Sequence, residues 1–348
     1  MDGKIMHRAL RQFEEDRDAR TARFLDRRES IFLREPRLRE IDRELKATMS
    51  RIISGALRRG TDPRPAIERL RDENLSLQAE KRTLLESMGL PQDCLEETPA
   101  CALCGDAGYR NGLVCRCLRS YYAREQQKEL SKMLDLGSQS FDTFSLDWYD
   151  DHLLPGQKRS ARSHMEEKVY SVCADYAYNF GKQPANLLLF GAPGLGKTHL
   201  SAAIAREVSA KGYSVVYDTA GHVFGCLEDQ KFGRDEDEES AADVDRIFSC
   251  DLLILDDLGT EMTTAFIQSA LYQIVNTRLM ERRSTIISTN LSPDGLAKRY
   301  SPQTVSRIEG EYQLLPFVGD DIRKKKKEQA SAAQRSAEPP RPLNFWSE

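Results

Sequence analysis

Long hydrophobic runs are missing from this 348-residue chain. The longest apolar stretches, such as Leu187–Phe190 and Leu252–Leu255, fall far short of the roughly 18 residues that a membrane-spanning helix needs, so no membrane partner is expected. The opening Met1-Asp2-Gly3-Lys4 lacks the apolar segment of a secretory signal, which predicts a cytoplasmic protein. In that compartment the eight cysteines read as thiols or metal ligands rather than disulfides. No internal repeat is visible. A large net charge is also absent: the sum is -4. That small sum conceals blocks. Residues 1–90 are Arg-rich, Asp235–Glu239 is acidic and Arg323–Lys327 is basic. Such blocks are ordinarily solvated loops or tails, and the basic one is also a candidate nucleic-acid contact.

Hydrophobic residues still make up 40 % of the chain, enough for a sizeable core, and the length predicts two or three folded units. Within residues 1–90, Leu38, Ile41, Leu45, Met49, Ile52 and Ala56 recur at helical spacing, with Pro36 where a first turn tolerates it. Gly60–Pro65 breaks the pattern. Ile67, Leu70, Leu77, Leu84 and Met88 form a second stripe, interrupted by Asn74 and Lys81 and ended by Gly89. Periodicity alone does not separate a bundle packed on itself from a docking module for a partner's helices.

Cys101-x-x-Cys104 and Cys115-x-Cys117 lie among glycines. Two close thiol pairs on glycine-rich turns suit tetrahedral zinc, and four protein ligands make such a site structural, with no open position for catalysis. The metal would fold a segment too small to hold its own core. Cys94, Cys173, Cys226 and Cys250 remain as isolated thiols.

From about residue 161, short apolar strands alternate with helices. Strands are expected at Leu187–Phe190, Tyr213–Tyr217, Leu252–Leu255 and Thr285–Thr289, and helices at 197–211, 221–229 and 262–282. This is the pattern of an α/β fold with a parallel sheet flanked by helices. Gly191-Ala192-Pro193-Gly194-Leu195-Gly196-Lys197-Thr198 fits the complete phosphate-loop pattern, with a strand before it and a helix after it. Its backbone amides would cradle phosphates, Lys197 would reach the β- and γ-phosphates of ATP, and the Thr198 hydroxyl would coordinate Mg²⁺. Asp256 and Asp257 end the apolar strand at Leu252. Asp256 would hold the magnesium shell, and Asp257 would orient or deprotonate the attacking water. Asn290 follows a further strand. Arg307 is an arginine suited to stabilising a transferring phosphoryl group.

Together, the phosphate loop, Leu252–Glu261, Ser288-Thr289-Asn290 and Val305–Gly310 resemble the AAA+ ATPase domain of the DnaC/DnaI-type bacterial helicase loaders, which are related to the IstB-type transposition ATPases. The resemblance implies an ATPase with Asn290 as sensor-1, Arg307 as an arginine finger acting on ATP of a neighbouring subunit, and Arg323 as a sensor-2-like residue. It implies a replicative DNA helicase as partner of the N-terminal helices, single-stranded DNA as a further partner, and a homo-oligomer with ATP at its interfaces. The DnaI sort carries a similar cysteine module, which extends the resemblance over most of the chain. Many AAA+ enzymes have Glu where Asp257 stands, which predicts slow hydrolysis and ATP acting as a switch. The alternative is a transposition-targeting ATPase of the IstB type. The expected boundaries are a helical, coiled-coil-like docking domain over 1–90, a four-cysteine zinc-binding module over 91–120, a linker over 121–160, the AAA+ ATPase domain over 161–322 and a disordered basic, Pro-rich tail over 323–348. Residues 228–245 are expected to be an acidic insertion.

Overall fold

A computed structural model describes residues 2–56, 64–133, 139–153, 159–183, 185–233 and 238–337. The side chains of Met49, Ile52, Ala56 and Ile67 lie outside the described residues, as do residues 60–63, 235–237 and 338–348. The chain divides into two compact units, residues 11–117 and residues 1–10 with 118–348.

The unit of residues 11–117 contains most of α1 (Gly3–Arg34), together with α2 (Pro36–Ala56), α3 (Arg64–Ser87) and a small hairpin of β1 (Tyr109–Arg110) and β2 (Leu113–Val114). Its core joins Ile31, Phe32, Leu38, Leu85, Cys94 and Leu95, with Leu84, Met88 and Leu90 packed against them. The α2 stripe therefore buries Leu38 and Ile41 as its period requires. On α3 the fully buried position is Leu85; Leu70, Leu77, Leu84 and Met88 are only half-buried. The half-buried positions Leu70, Asn74, Leu77, Lys81, Leu84 and Met88 keep the expected period, and Leu85 beside them is the fully buried one. Arg37 and Glu80 tie α2 to α3 through two parallel hydrogen bonds of 2.7 and 3.0 Å.

The other unit begins with the first ten residues and α4 (Arg116–Met133), then a 3₁₀ turn at Leu146–Trp148. It continues through α5 (Ala161–His164), a π-helical turn (Met165–Tyr170), α6 (Ser171–Asn179), β3 (Leu187–Phe190), α7 (Lys197–Ala210), β4 (Val215–Thr219) and α8 (Ala220–Phe232). After these come α9 (Glu238–Ser249), β5 (Leu252–Leu258), α10 (Ala265–Met280), β6 (Ser284–Thr289), α11 (Pro293–Arg299), α12 (Pro302–Glu311), β7 (Gln313–Pro316) and α13 (Ile322–Ala337). Strands β3 to β7 form a five-stranded parallel sheet in the order β4-β5-β6-β3-β7.

Alternation along each strand sends side chains to opposite faces. Leu187, Leu189, Leu252, Ile254 and Ile286 enter a core with α6 and α7, while Leu188, Leu253, Leu255 and Ile287 enter a second core with α8, α9, α10 and α12. A parallel sheet covered on both faces needs such continuous apolar strands. The helices are started locally: Thr219, Thr264, Ser292 and Ser301 cap α8, α10, α11 and α12, with Pro293 and Pro302 in the first turns.

Four expectations differ from this architecture. The stretch expected as a linker starts as a helix: in α4, Tyr122 and Gln126 are buried, and Gln126 donates 2.9 Å to the Val215 carbonyl at the edge of β4. The start of the tail is also helical rather than disordered over Ile322–Ala337. Its lysines, alanines and glutamines are good helix formers, and the Asp321 carboxylate accepts the backbone N–H of Arg323 at 2.9 Å. The described residues of the acidic 228–245 stretch belong to the end of α8 and to α9, whose Val244 and Ile247 face the core. Finally, residues 1–10 belong with the sheet unit rather than with a separate 1–90 domain. Ile5 and Ala9 pack on Tyr122, and Asp2 pairs with Arg246 of α9.

Candidate functional site

The phosphate loop leaves β3 at the carboxyl edge of the sheet and enters α7. Its glycines are required by space as well as by backbone angle. A Cβ on Gly191 (φ 147°) would lie 2.5 Å from the Phe317 carbonyl, and one on Gly194 (φ 78°) would lie 2.0 Å from the Asp321 carboxylate. Ile322 N–H donates 3.0 Å to the Gly194 carbonyl, so the start of α13 is bonded to the loop.

Lys197 is buried, and its ammonium donates to Gly191 O at 2.8 Å, Ala192 O at 2.9 Å and Asn290 Oδ1 at 2.7 Å. Burial lowers its pKa from the usual lysine value; Asp257 and Asp256 oppose that shift, and Arg323 adds to it. Asp256 is buried and receives three hydroxyl donors. Thr198 Oγ1 lies 3.2 Å and Tyr217 OH 2.7 Å from its Oδ2, and Ser288 Oγ donates to its Oδ1.

Strand β5 does not run straight through this point. Its register against β6 shifts between Leu255 and Leu258, and Asp257 adopts φ +54°. A left-handed conformation costs a non-glycine residue about 1–2 kcal/mol, a strain the surrounding bonds must hold. The Asp257 N–H is held at 3.1 Å by Ser288 Oγ. The bulge turns Asp257 toward a cavity of about 270 Å³ lined also by the phosphate loop, Asn290, Arg323, Phe144 and Trp148. Burial raises the pKa of Asp257, the Asp256 carboxylate adds to the rise, and Lys197 and Arg323 oppose it.

Gly194, Gly196, Lys197, Thr198, Asp257, Asn290 and Arg323 thus share one cavity, with Asp256 bonded to Thr198 at its base. Arg307 is not among the residues that line it. That side chain sits on α12 with its guanidinium 5.7 Å from the ring centre of Tyr272. Sequence reasoning missed Tyr217 and Trp148, and named Ser288 and Lys326 only as parts of a motif and a basic run, without a role at this site. Tyr217 carries no motif. Only the register, which pairs Thr219 with Asp256 and puts Tyr217 on the same strand face, brings it to the site. Lys326 places its ammonium 5.4 Å from the Trp148 ring centre.

The hydroxyl of Thr198 and the carboxylate of Asp256 are hard oxygen donors at one spot, which fits magnesium. In the other unit the four sulfurs of Cys101, Cys104, Cys115 and Cys117 all lie within 4.8 Å of one another, with pairs at 3.8 and 3.4 Å. Zinc–sulfur bonds of about 2.3 Å in a tetrahedron place sulfurs about 3.8 Å apart, so the set fits zinc. The β1–β2 hairpin positions Cys115, whose N–H donates 2.9 Å to Gly108 O. Asp106 accepts the N–H groups of Ala100 and Cys101 at 3.0 and 2.8 Å, closing the first loop. The backbone N–H groups of Cys104 and Leu103 bring the Cys101 thiol down to about 7, which favours the thiolate a metal needs.

A family model described as IstB-like ATP binding protein matches residues 161–330. The replicative helicase loader DnaC of Buchnera aphidicola subsp. Baizongia pistaciae is 29% identical over 160 residues, covering 46% of this chain and 65% of that protein. The replicative helicase loader DnaC of Escherichia coli K12 is 27% identical over 154 residues, covering 44% of this chain and 62% of that protein. The chain therefore spans a little under two thirds of these relatives. A crystal structure of the DnaC helicase loader superposes with a TM-score of 0.42 at 21% identity, covering 52% of this chain and 98% of that one. The matched segment holds the phosphate loop and the parallel sheet of an AAA+ P-loop ATPase fold, and is similar to the IstB-like ATP binding proteins.

Proposed function

We propose that this chain is an ATP-dependent loader of a replicative DNA helicase onto single-stranded DNA, with ATP binding and hydrolysis acting as a switch in a self-assembled complex. The observation that carries the ATP chemistry is the convergence of Lys197, Asp257, Asn290 and Arg323 on one cavity, with Thr198 and Asp256 bonded beneath it. The helicase assignment rests on the relatives named as replicative helicase loaders.

In this reading the loop amides and Lys197 hold the triphosphate, and phosphate oxygens replace the carbonyl and amide oxygens that Lys197 now contacts. Thr198 and Asp256 hold magnesium, which supplies positive charge against the phosphate oxygens when bound. Asp257 accepts a proton from, or orients, the water that attacks the terminal phosphorus. Its carboxylate is one carbon shorter than glutamate, consistent with slow turnover. Asn290, bonded to Lys197, would stand beside the terminal phosphate. Arg307, away from its own chain's cavity, acts on ATP bound by a neighbouring copy. The N-terminal helices grip the helicase, and the zinc held by the four cysteines keeps that region folded. Basic residues of the sheet unit meet the DNA backbone, an interaction that weakens steeply with salt.

The likeness to IstB-like ATP binding proteins favours one second reading, a transposition-targeting ATPase of the IstB type. Reconstitution separates the two. The full chain is mixed with a purified replicative helicase and a circular single strand coated with single-strand-binding protein, with and without ATP. A loader captures the helicase and deposits it on the circle only when nucleotide is present. Absence of capture, together with ATP-dependent binding to duplex DNA, would overturn the loader reading in favour of the second.

A further inference from the structure

We propose that Tyr217 and Ser288 are positioning residues for the metal and the attacking water, acting through Asp256 and Asp257. The inference rests on the reading of the cavity as a magnesium–ATP site.

The carboxylate of Asp256 is held from three sides. Thr198 lies on α7, Tyr217 on β4 and Ser288 on β6, and all three donate a hydroxyl to it. The Thr198 hydroxyl spends its proton on Asp256, which leaves its oxygen lone pairs for a cation. Tyr217 donates to the same oxygen, Oδ2, and its own oxygen lies 3.1 Å from Ser201 Oγ. Ser201 in turn donates 3.1 Å to the Thr198 carbonyl. Tyr217 therefore holds the carboxylate directly, and its oxygen lies against the Ser201 hydroxyl of α7, which it can accept as an alternative to the Thr198 carbonyl. With Tyr217 in place the carboxylate is fixed against rotation before a metal arrives, so ordering it costs nothing at binding.

Ser288 does a different job. Its single hydroxyl donates to Asp256 Oδ1 and accepts the backbone N–H of Asp257. It thereby links the side chain of one aspartate to the main chain of the next, at the point where β5 slips against β6 and Asp257 turns left-handed. Without this link the ladder could relax toward a regular strand. A regular strand would point Asp256 and Asp257 to opposite faces of the sheet, and only one carboxylate would remain at the cavity. Ser288 is thus what lets two consecutive residues serve one site.

The two roles predict different defects. In Tyr217→Phe, a nearly isosteric change, the magnesium concentration that half-saturates tight binding of a fluorescent ATP analogue should rise about three- to tenfold. Binding of the same analogue in EDTA, and turnover at saturating magnesium, should stay within about twofold. In Ser288→Ala, turnover at saturating magnesium and ATP should fall by roughly tenfold or more, with magnesium-free nucleotide affinity unchanged. Melting temperatures of both full-length variants report folding. If Tyr217→Phe leaves the magnesium titration of a normally melting protein unmoved, its positioning role is wrong. If Ser288→Ala hydrolyses ATP at the parent rate, the bulge needs no such link. A mere packing role would shift magnesium-free and magnesium-bound affinities together, which also contradicts the inference. Failure of the parent chain to bind the analogue at all would instead overturn the ATP reading itself.

Discussion

Asp257 carries the clearest conflict between stability and chemistry. Its backbone is left-handed, its carboxyl is partly buried beside Asp256, and its pKa is raised from the ordinary carboxylate value by that burial first and by Asp256 second. A raised folded-state pKa means that the native protein binds this proton more tightly than the unfolded chain does. The ionised group therefore disfavours the native state in full above the folded-state pKa, and the penalty fades as pH falls from there toward the unfolded value. Asp257→Asn should raise the melting temperature at neutral pH, with the gain disappearing toward about pH 3, while abolishing hydrolysis. Thermal melts across pH check this, and equal melting temperatures at pH 7 would contradict the electrostatic account. Arg278 makes the opposite case, a charged group used wholly for stability. It is fully buried and has no carboxylate partner among the described residues. Its guanidinium instead donates to Ile247 O, Phe248 O, Cys250 O, Ser284 O and Thr285 Oγ1. The Ile247 and Phe248 carbonyls end α9, where a positive charge is favoured. Arg278→Lys keeps the charge but loses the fork, leaving carbonyls unsatisfied. Denaturant unfolding should show a loss of about 2–4 kcal/mol.

At the scale of elements, what could be read in advance depended on whether a signal was local. The phosphate loop is contiguous in sequence, and so is the hydrophobic strand ending at Asp256. Both stand where the residue pattern put them, and so do the strand before Asn290 and the close approach of the four cysteines. Tyr217 and Ser288 gave no such signal, because their role comes from strand register, which no local pattern encodes. Strand β7 was missed for a related reason: four residues ending in Pro316 look like a loop until β3 pairs with them. The basic run was read by its charge, yet helix propensity and the Asp321 cap decided its conformation. The cysteine hairpin is the element with the least core of its own, so the metal should matter most there. Metal analysis of the purified protein should find about one zinc per chain. Removing it with a chelator should lower the stability of the unit of residues 11–117 while leaving nucleotide affinity near its starting value. A fully folded, zinc-free protein would contradict the metal assignment.

Across the whole molecule, the compact units do not follow the boundaries that composition suggested. The first ten residues pack with the sheet unit through Asp2, Ile5 and Ala9. The helical region and the cysteines form one unit, rather than a docking domain followed by a separate module. Truncations placed at residue 90 would therefore cut both units, which is why the loader reading is best tested on the full chain. The proposed activity depends most on a triphosphate bound at the carboxyl edge of the sheet with Lys197 as its principal cation. Calorimetric titration of the full-length protein and of Lys197→Ala with magnesium–ATP tests this most directly. The parent chain should bind about one ATP, and the variant should lose roughly two orders of magnitude in affinity or more while melting near the parent temperature. Equal affinity in the two proteins would contradict the account.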